Sequence, residues 1–292
     1  MADPHPPSGP ADPRQVIAAY LVLVFGFSSV FWYILIAKPS CAIETGIIRQ
    51  SGFLLMWCPA FAAIITRLWF QHNLSGFGWK PGQLRWWIVA ILIPIMVGAV
   101  MFGAAWVSGI APFLPESAAA LLTVQAMQVI LIGICSNVVS ATGEELGWRG
   151  LLVPELGRIT GFTQIALISA FIWGCWHLPI MVLGSYHGSG PLWYSVLMLF
   201  LSLFGGSTIF AWIRLRSGSV WPAALLHGFW NYFIQQFYPA ITAPTEAGGA
   251  MIGEFGWFTV LLSMILGLLF WHLRYQLPRI PNPAGGKYPT SS

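Results

Sequence analysis

The sequence predicts an all-α polytopic membrane protein with about eight transmembrane helices, and two observations carry that prediction. Of 292 residues, 57% are hydrophobic and only 8% charged, with a mean hydropathy of +0.73, whereas soluble domains carry about 25% charge. The apolar residues also run continuously in stretches of about 20, the length a helix needs to cross a hydrocarbon core of about 30 Å. A β-barrel would instead alternate apolar and polar positions in segments of about ten.

In order, the predicted spans are Val16 to Ala37, Gly52 to Phe70, Trp86 to Val107, Leu121 to about Trp148, Thr163 to Leu183, Trp193 to Leu215, Ser219 to Phe237, and Gly256 to Leu273. Trp69, Trp86, Trp87, Trp193 and Trp257 lie near span ends, where aromatic belts anchor helices at the interface. The fourth, fifth and seventh spans differ from the others in carrying polar clusters. One transmembrane domain over 14–275 is expected, with disordered cytoplasmic tails at 1–13 and 276–292, both rich in Pro and small residues. The N-terminal stretch lacks the basic region and cleavage site of a signal peptide, and no internal repeat is visible.

Eight crossings place both termini on one side. Arg14, Arg67, Lys80, Arg85, Arg149, Arg158, Arg214, Arg216, Arg274, Arg279 and Lys287 fall there, leaving Lys38 and Arg49 for the other. Lys and Arg accumulate on the cytoplasmic side, so cytoplasmic termini in a plasma-membrane protein are expected. The net charge of +4 reflects this orientation; the basic residues are dispersed and no nucleic-acid partner is expected. Cys41, Cys58, Cys135 and Cys175 show neither a CxxC pair nor a ligand array, and read as buried, unpaired thiols.

The polar clusters carry the functional content, because an ionisable group at membrane depth costs about 2.5–3.5 kcal/mol on insertion scales. In Gly143-Glu144-Glu145-Leu146-Gly147-Trp148-Arg149, helical spacing pairs Glu145 with Arg149 and turns Glu144 about 100° away. Glu144 is then the candidate general base. The alternative is structural: Thr142 caps a new interfacial helix and Glu145 closes a capping box. In the fifth span His177 follows Trp173 by one turn, which predicts an imidazole held against aromatic rings; simple packing is the alternative. In the seventh, His227 and Asn231 share a helical face, and Gly228 allows close approach of a helix or a substrate backbone. Here the alternative is interhelical hydrogen bonding.

Together these groups form a set able to activate water and stabilise an oxyanion in amide hydrolysis. The order Glu-Glu-x-x-x-Arg, an aromatic residue followed by His, then His-x-x-x-Asn, resembles the CAAX protease and bacteriocin-processing family of intramembrane endopeptidases. The resemblance spans Glu144 to Asn231. It implies Glu144 as the water-activating base, His177, His227 and Asn231 completing the site, and Glu145 with Arg149 as a supporting ion pair. One departure is visible, Trp173 standing where the family usually has Phe. The lipid bilayer and a peptide or lipidated-protein substrate are the implied partners. Zinc is the alternative to a metal-free reaction, since two histidines and a carboxylate suit it, although no HExxH is present and Asn is an uncommon ligand.

Depth poses a constraint. His177 lies about 21 Å along its span and His227 about 12 Å along its own. Bringing both to Glu144 requires the fourth helix to run later, with Arg149 snorkelling to the cytoplasm, and the fifth to enter late or tilted. The reading is an endopeptidase whose cavity opens to the cytoplasm or sideways into lipid. A transporter or channel, or a non-catalytic immunity or scaffold protein, are the rival readings.

Overall fold

The structure, a computed structural model, describes residues 11–38, 46–188 and 190–278. Cys41, the side chain of Arg49 and most of both predicted tails lie outside the described residues. All eight predicted spans are helical, and among the described residues there is no strand. We number the helices α1 (Pro13–Ala37), α2 (Ile48–Gln71), α3 (Leu84–Ser108), the short α4 (Pro115–Ala120), α5 (Val124–Gly147), α6 (Val153–Gly157), α7 (Phe162–Val182), α8 (Leu192–Ser217), α9 (Trp221–Tyr232), α10 (Tyr238–Ala240), α11 (Glu246–Met251) and α12 (Trp257–His272). Asp12 caps α1 by accepting from the Arg14 amide at 3.0 Å, with Pro13 in the first turn. The predicted N-terminal tail therefore ends in a helix cap.

Seven of these helical segments are long and apolar enough to cross a membrane, one fewer than the eight predicted. The exception is the seventh predicted span, which divides into α9, a π-helical turn at Phe233–Phe237 and α10. Large apolar side chains such as Leu131, Ile132, Ile265 and Leu268 point outwards and are exposed, as a lipid-facing surface requires. This is a multi-pass membrane protein.

Glycine sets the closest packing. A Cβ at Gly143 would lie 2.6 Å from the Met56 carbonyl oxygen, and one at Gly228 2.5 Å from Val138 Cα. The first brings α5 against α2 and the second brings α9 against α5, the small-residue contact that substitutes for hydrophobic driving force in lipid. Gly228 thus serves a neighbouring helix.

The depth constraint is met in two ways. The fourth span runs on from α5 through a π-helical turn, Trp148–Leu152, into α6, and is continuous over Val124–Gly157. Glu144 is therefore about 20 Å from the end of its span, and His177 about 22 Å from Phe162, at 1.5 Å per residue. The fifth span does not enter late, since α7 begins at Phe162. For His227 the start of the helix is itself submerged: Ser219 and Val220 are fully buried, and the Val220 amide donates to the Gly78 carbonyl at 3.1 Å.

Candidate active site

Residues far apart in sequence reach one place because α5 packs between α2 and α9, while α7 lies against α8. A cavity of about 440 Å³ is lined by Glu144, His177, Tyr186, His227, Asn231 and Glu254, with Trp173 in its wall. All four residues singled out as catalytic border it.

The two adjacent carboxylates diverge as helical geometry predicts. Glu144 is buried, and its Oε2 accepts from the Trp173 indole at 2.8 Å and from the Trp148 indole at 3.3 Å. Glu145 is fully buried and accepts, through Oε1, from Arg149 Nη1 at 2.9 Å and from His227 Nδ1 at 2.9 Å. It joins α5 to α9 and fixes the His227 ring. The capping-box alternative does not hold: α5 is unbroken through Thr142, whose hydroxyl donates back to the Val138 carbonyl at 2.7 Å.

Arg149 departs from expectation. It does not snorkel; it is buried, its guanidinium lying 4.3 Å from the Trp173 ring centroid and 4.1 Å from that of Phe210. The ring faces and the Glu145 carboxylate replace water as its surroundings. Arg214 Nε donates to the Arg149 carbonyl at 2.8 Å and its Nη2 to the Gly76 carbonyl at 3.2 Å, tying the π-helical turn to the loop over α9.

His177 Nδ1 donates to the Trp173 carbonyl at 2.9 Å. Its ring meets Trp176 edge-on at 4.9 Å and stacks on Tyr186 at 5.7 Å. Trp176 is held in turn by donating to Ser28 Oγ at 2.8 Å. The predicted aromatic confinement of this imidazole is what the structure shows. Trp173 also meets the His227 ring at 5.3 Å, so one indole touches Glu144, Arg149 and His227. Asn231 is half-buried, with Gln235 Nε2 donating to its Oδ1 at 3.4 Å.

With Nδ1 of both histidines engaged, each ring keeps Nε2 for other partners. Among the described residues no group of three His, Cys, Asp or Glu side chains is arranged to hold a metal ion. Of the thiols, Cys58 is buried but Cys135 is exposed, contrary to the expectation of burial.

The cavity extends towards Lys38, Ile48 and Gly52, the end where α1 stops and α2 starts. The arginine-rich end, with Arg67, Arg149 and Arg214, is closed by buried side chains. Under the charge-based orientation the cavity therefore runs away from the cytoplasm, contrary to a cytoplasmic opening and leaving the expected sideways access from lipid.

Sequence reasoning missed four contributors. Trp148 and Arg214 are indistinguishable in sequence from belt tryptophans and orienting arginines. Tyr186 and Glu254 lie in the loops after α7 and before α12, outside the apolar runs where a polar residue is conspicuous.

Residues 125–233 match the type II CAAX prenyl endopeptidase Rce1-like family. The chain is also similar to the CAAX prenyl protease 2 of Methanococcus maripaludis, at 32% identity over 114 residues. That alignment covers 37% of this chain and 41% of the relative, so the chain spans about two fifths of the curated protein it matches. The family resemblance seen in the motifs is thereby borne out over the segment that contains all of them.

Proposed function

We propose that this chain is an intramembrane endopeptidase that hydrolyses a peptide bond with water activated by Glu144. The observation that carries the reading is the position of Glu144: a buried carboxylate on a cavity wall, steadied at one oxygen by two indoles, with no described residue donating to the other. That free oxygen is the acceptor a general base needs.

In the proposed reaction Glu144 takes a proton from water, and the hydroxide adds to the scissile carbonyl. His177, through Nε2, orients the water. Asn231 donates its amide N–H to the tetrahedral oxyanion, as does His227 Nε2 in the imidazolium form, whose charge Glu145 balances. Collapse expels the amine, which receives the proton from Glu144, so protons balance and the base is restored. Each part is held before substrate arrives, which is where preorganised electrostatics lowers the barrier.

The substrate is a peptide or lipidated protein segment reached within the bilayer, either near a CAAX-type carboxyl terminus or in a bacteriocin-like peptide. The reaction is read as metal-free, because Asn231 is a poor zinc ligand. Dialysis against a strong zinc chelator is expected to leave turnover unchanged; loss restored by zinc alone would replace the glutamate-only reading with a metal-dependent one.

The test compares peptide cleavage by purified, reconstituted wild type with Glu144→Gln after equal folding is established. Loss of at least about 10³-fold is expected, the scale of removing a group whose proton transfer and positioning both serve the reaction. Equal turnover in both proteins contradicts the proposal, and solute accumulation in liposomes would favour the transporter reading.

A further inference from the structure

The cavity has a second polar pole that the proposed reaction does not use. Tyr186 donates its hydroxyl to Glu254 Oε1 at 2.6 Å. The Tyr186 ring stacks on His177, at 5.7 Å and 25°, and Phe255 closes edge-on against it at 5.4 Å. Tyr186 and Glu254 line the same cavity as Glu144 and His227. A second carboxylate thus stands one aromatic ring beyond the candidate reacting centre, outside the segment 125–233 that matches the family.

Among the described residues, no Lys, Arg or His nitrogen lies within 4 Å of Glu254, the ion pairs there being Arg149–Glu145, Arg158–Glu155 and His227–Glu145. Burial raises the Glu254 carboxyl above its usual range; the Tyr186 hydrogen bond, His227 and the Gln235 side chain oppose this, while Glu144 reinforces it. Lys38 lines the cavity but is exposed, and the buried Arg149 behind the wall is already committed to Glu145. A carboxylate in apolar surroundings without a cation is costly, and the cost is removed when an occupant brings the opposite charge.

We propose that Glu254, oriented by Tyr186, is a specificity-determining residue that receives a basic side chain of the peptide substrate, an ammonium or guanidinium group close to the bond to be cut. It rests on the endopeptidase reading and names the substrate class of that site. The same carboxylate disfavours an acidic side chain or a free carboxyl terminus at this position, so it selects by repulsion as well as attraction.

The test uses acetylated, amidated peptides that differ only in lysine or norleucine, scanned along the sequence. Their binding to the full chain carrying Glu144→Gln in nanodiscs is read by fluorescence anisotropy, alone and with Glu254→Gln, Glu254→Asp or Tyr186→Phe added, each variant first shown to melt like its parent. At one position lysine is expected to bind about tenfold tighter than norleucine. That ratio should fall to near one with Glu254→Gln, persist with Glu254→Asp, and fall only in part with Tyr186→Phe, which loses the orienting hydroxyl but keeps the carboxylate. A ratio near one at every position, a ratio unaffected by Glu254→Gln, absence of peptide binding, or equal loss in Tyr186→Phe, which would assign the effect to loop bracing, each overturns the proposal. Binding is read without turnover, so a failure of wild type to hydrolyse peptides is a separate result that bears on the endopeptidase reading alone.

Discussion

Trp173 differs from phenylalanine by one N–H group in the place that matters, and that group donates to Glu144 at 2.8 Å. Trp173→Phe keeps an aromatic wall for His177 and Arg149 while removing the donor. A hydrogen bond to a charged group contributes about 1.5–3 kcal/mol, so kcat is expected to fall about tenfold to a hundredfold with KM little changed; an unchanged kcat in steady-state cleavage would show that the indole does not position the base. Glu145 has a different task. It holds Arg149 and His227 together at full burial, and breaking a buried pair by removing one partner costs about 3–5 kcal/mol. Glu145→Ala is therefore expected to lower the melting temperature in nanodiscs by many degrees, whereas a melting curve like wild type would mean that Arg149 finds another partner. Glu144, His177, His227 and Asn231 are legible in the sequence because a polar group inside an apolar run is rare enough to read as function. Glu254 is not, because a loop acid is ordinary until the fold turns it into a cavity. The fate of Arg149 is also hidden, since the rings that receive it, Trp173 and Phe210, come from other helices.

At the scale of elements, two of the three motif-bearing helices, α5 and α9, lose α-helical register within or just after their motifs. Trp148–Leu152 comes after Glu144 and Glu145, and Phe233–Phe237 after His227 and Asn231. A π-helical turn inserts a residue and rotates the helix beyond it, and such turns recur at functional sites. Here the first lets α5 continue into α6, which sets Glu144 at depth. No propensity rule marks either turn, so hydropathy ends the fourth span near Trp148 and makes the seventh one uniform helix. The approach of α9 to α5 is equally specific, because Gly228 has no room for a Cβ beside Val138, whereas one at Gly26 meets nothing within 4 Å. Overpacking of this kind costs about 1–3 kcal/mol. Gly228→Ala is expected to lower both melting temperature and turnover, moving His227 away from Glu145, while Gly26→Ala leaves both near wild type. Equal behaviour of the two variants in thermal unfolding would contradict the close packing.

For the whole molecule, hydropathy foretells the all-helical, multi-pass architecture almost completely, because the bilayer demands internally satisfied backbone in long apolar segments. It misjudges the span that dives in from a buried loop, since Ser219 and Val220 are submerged by the segment around Gly78, a tertiary contact that a window of residues does not contain. The distribution of Lys and Arg predicts both termini in the cytoplasm, and the cavity's extension towards Lys38 then predicts access from the opposite face or from lipid. Reporter fusions at residue 278 active only in the cytoplasm would agree with this orientation; activity only outside would reverse it. The central claim is that side chains from three helices meet to split an amide bond with water. Its most direct measurement is mass spectrometry of peptide products formed in ¹⁸O-water by the reconstituted protein. The account predicts one ¹⁸O atom in the new carboxyl group of the product, absent with Glu144→Gln; cleavage without label, or labelled product undiminished in Glu144→Gln, would contradict it.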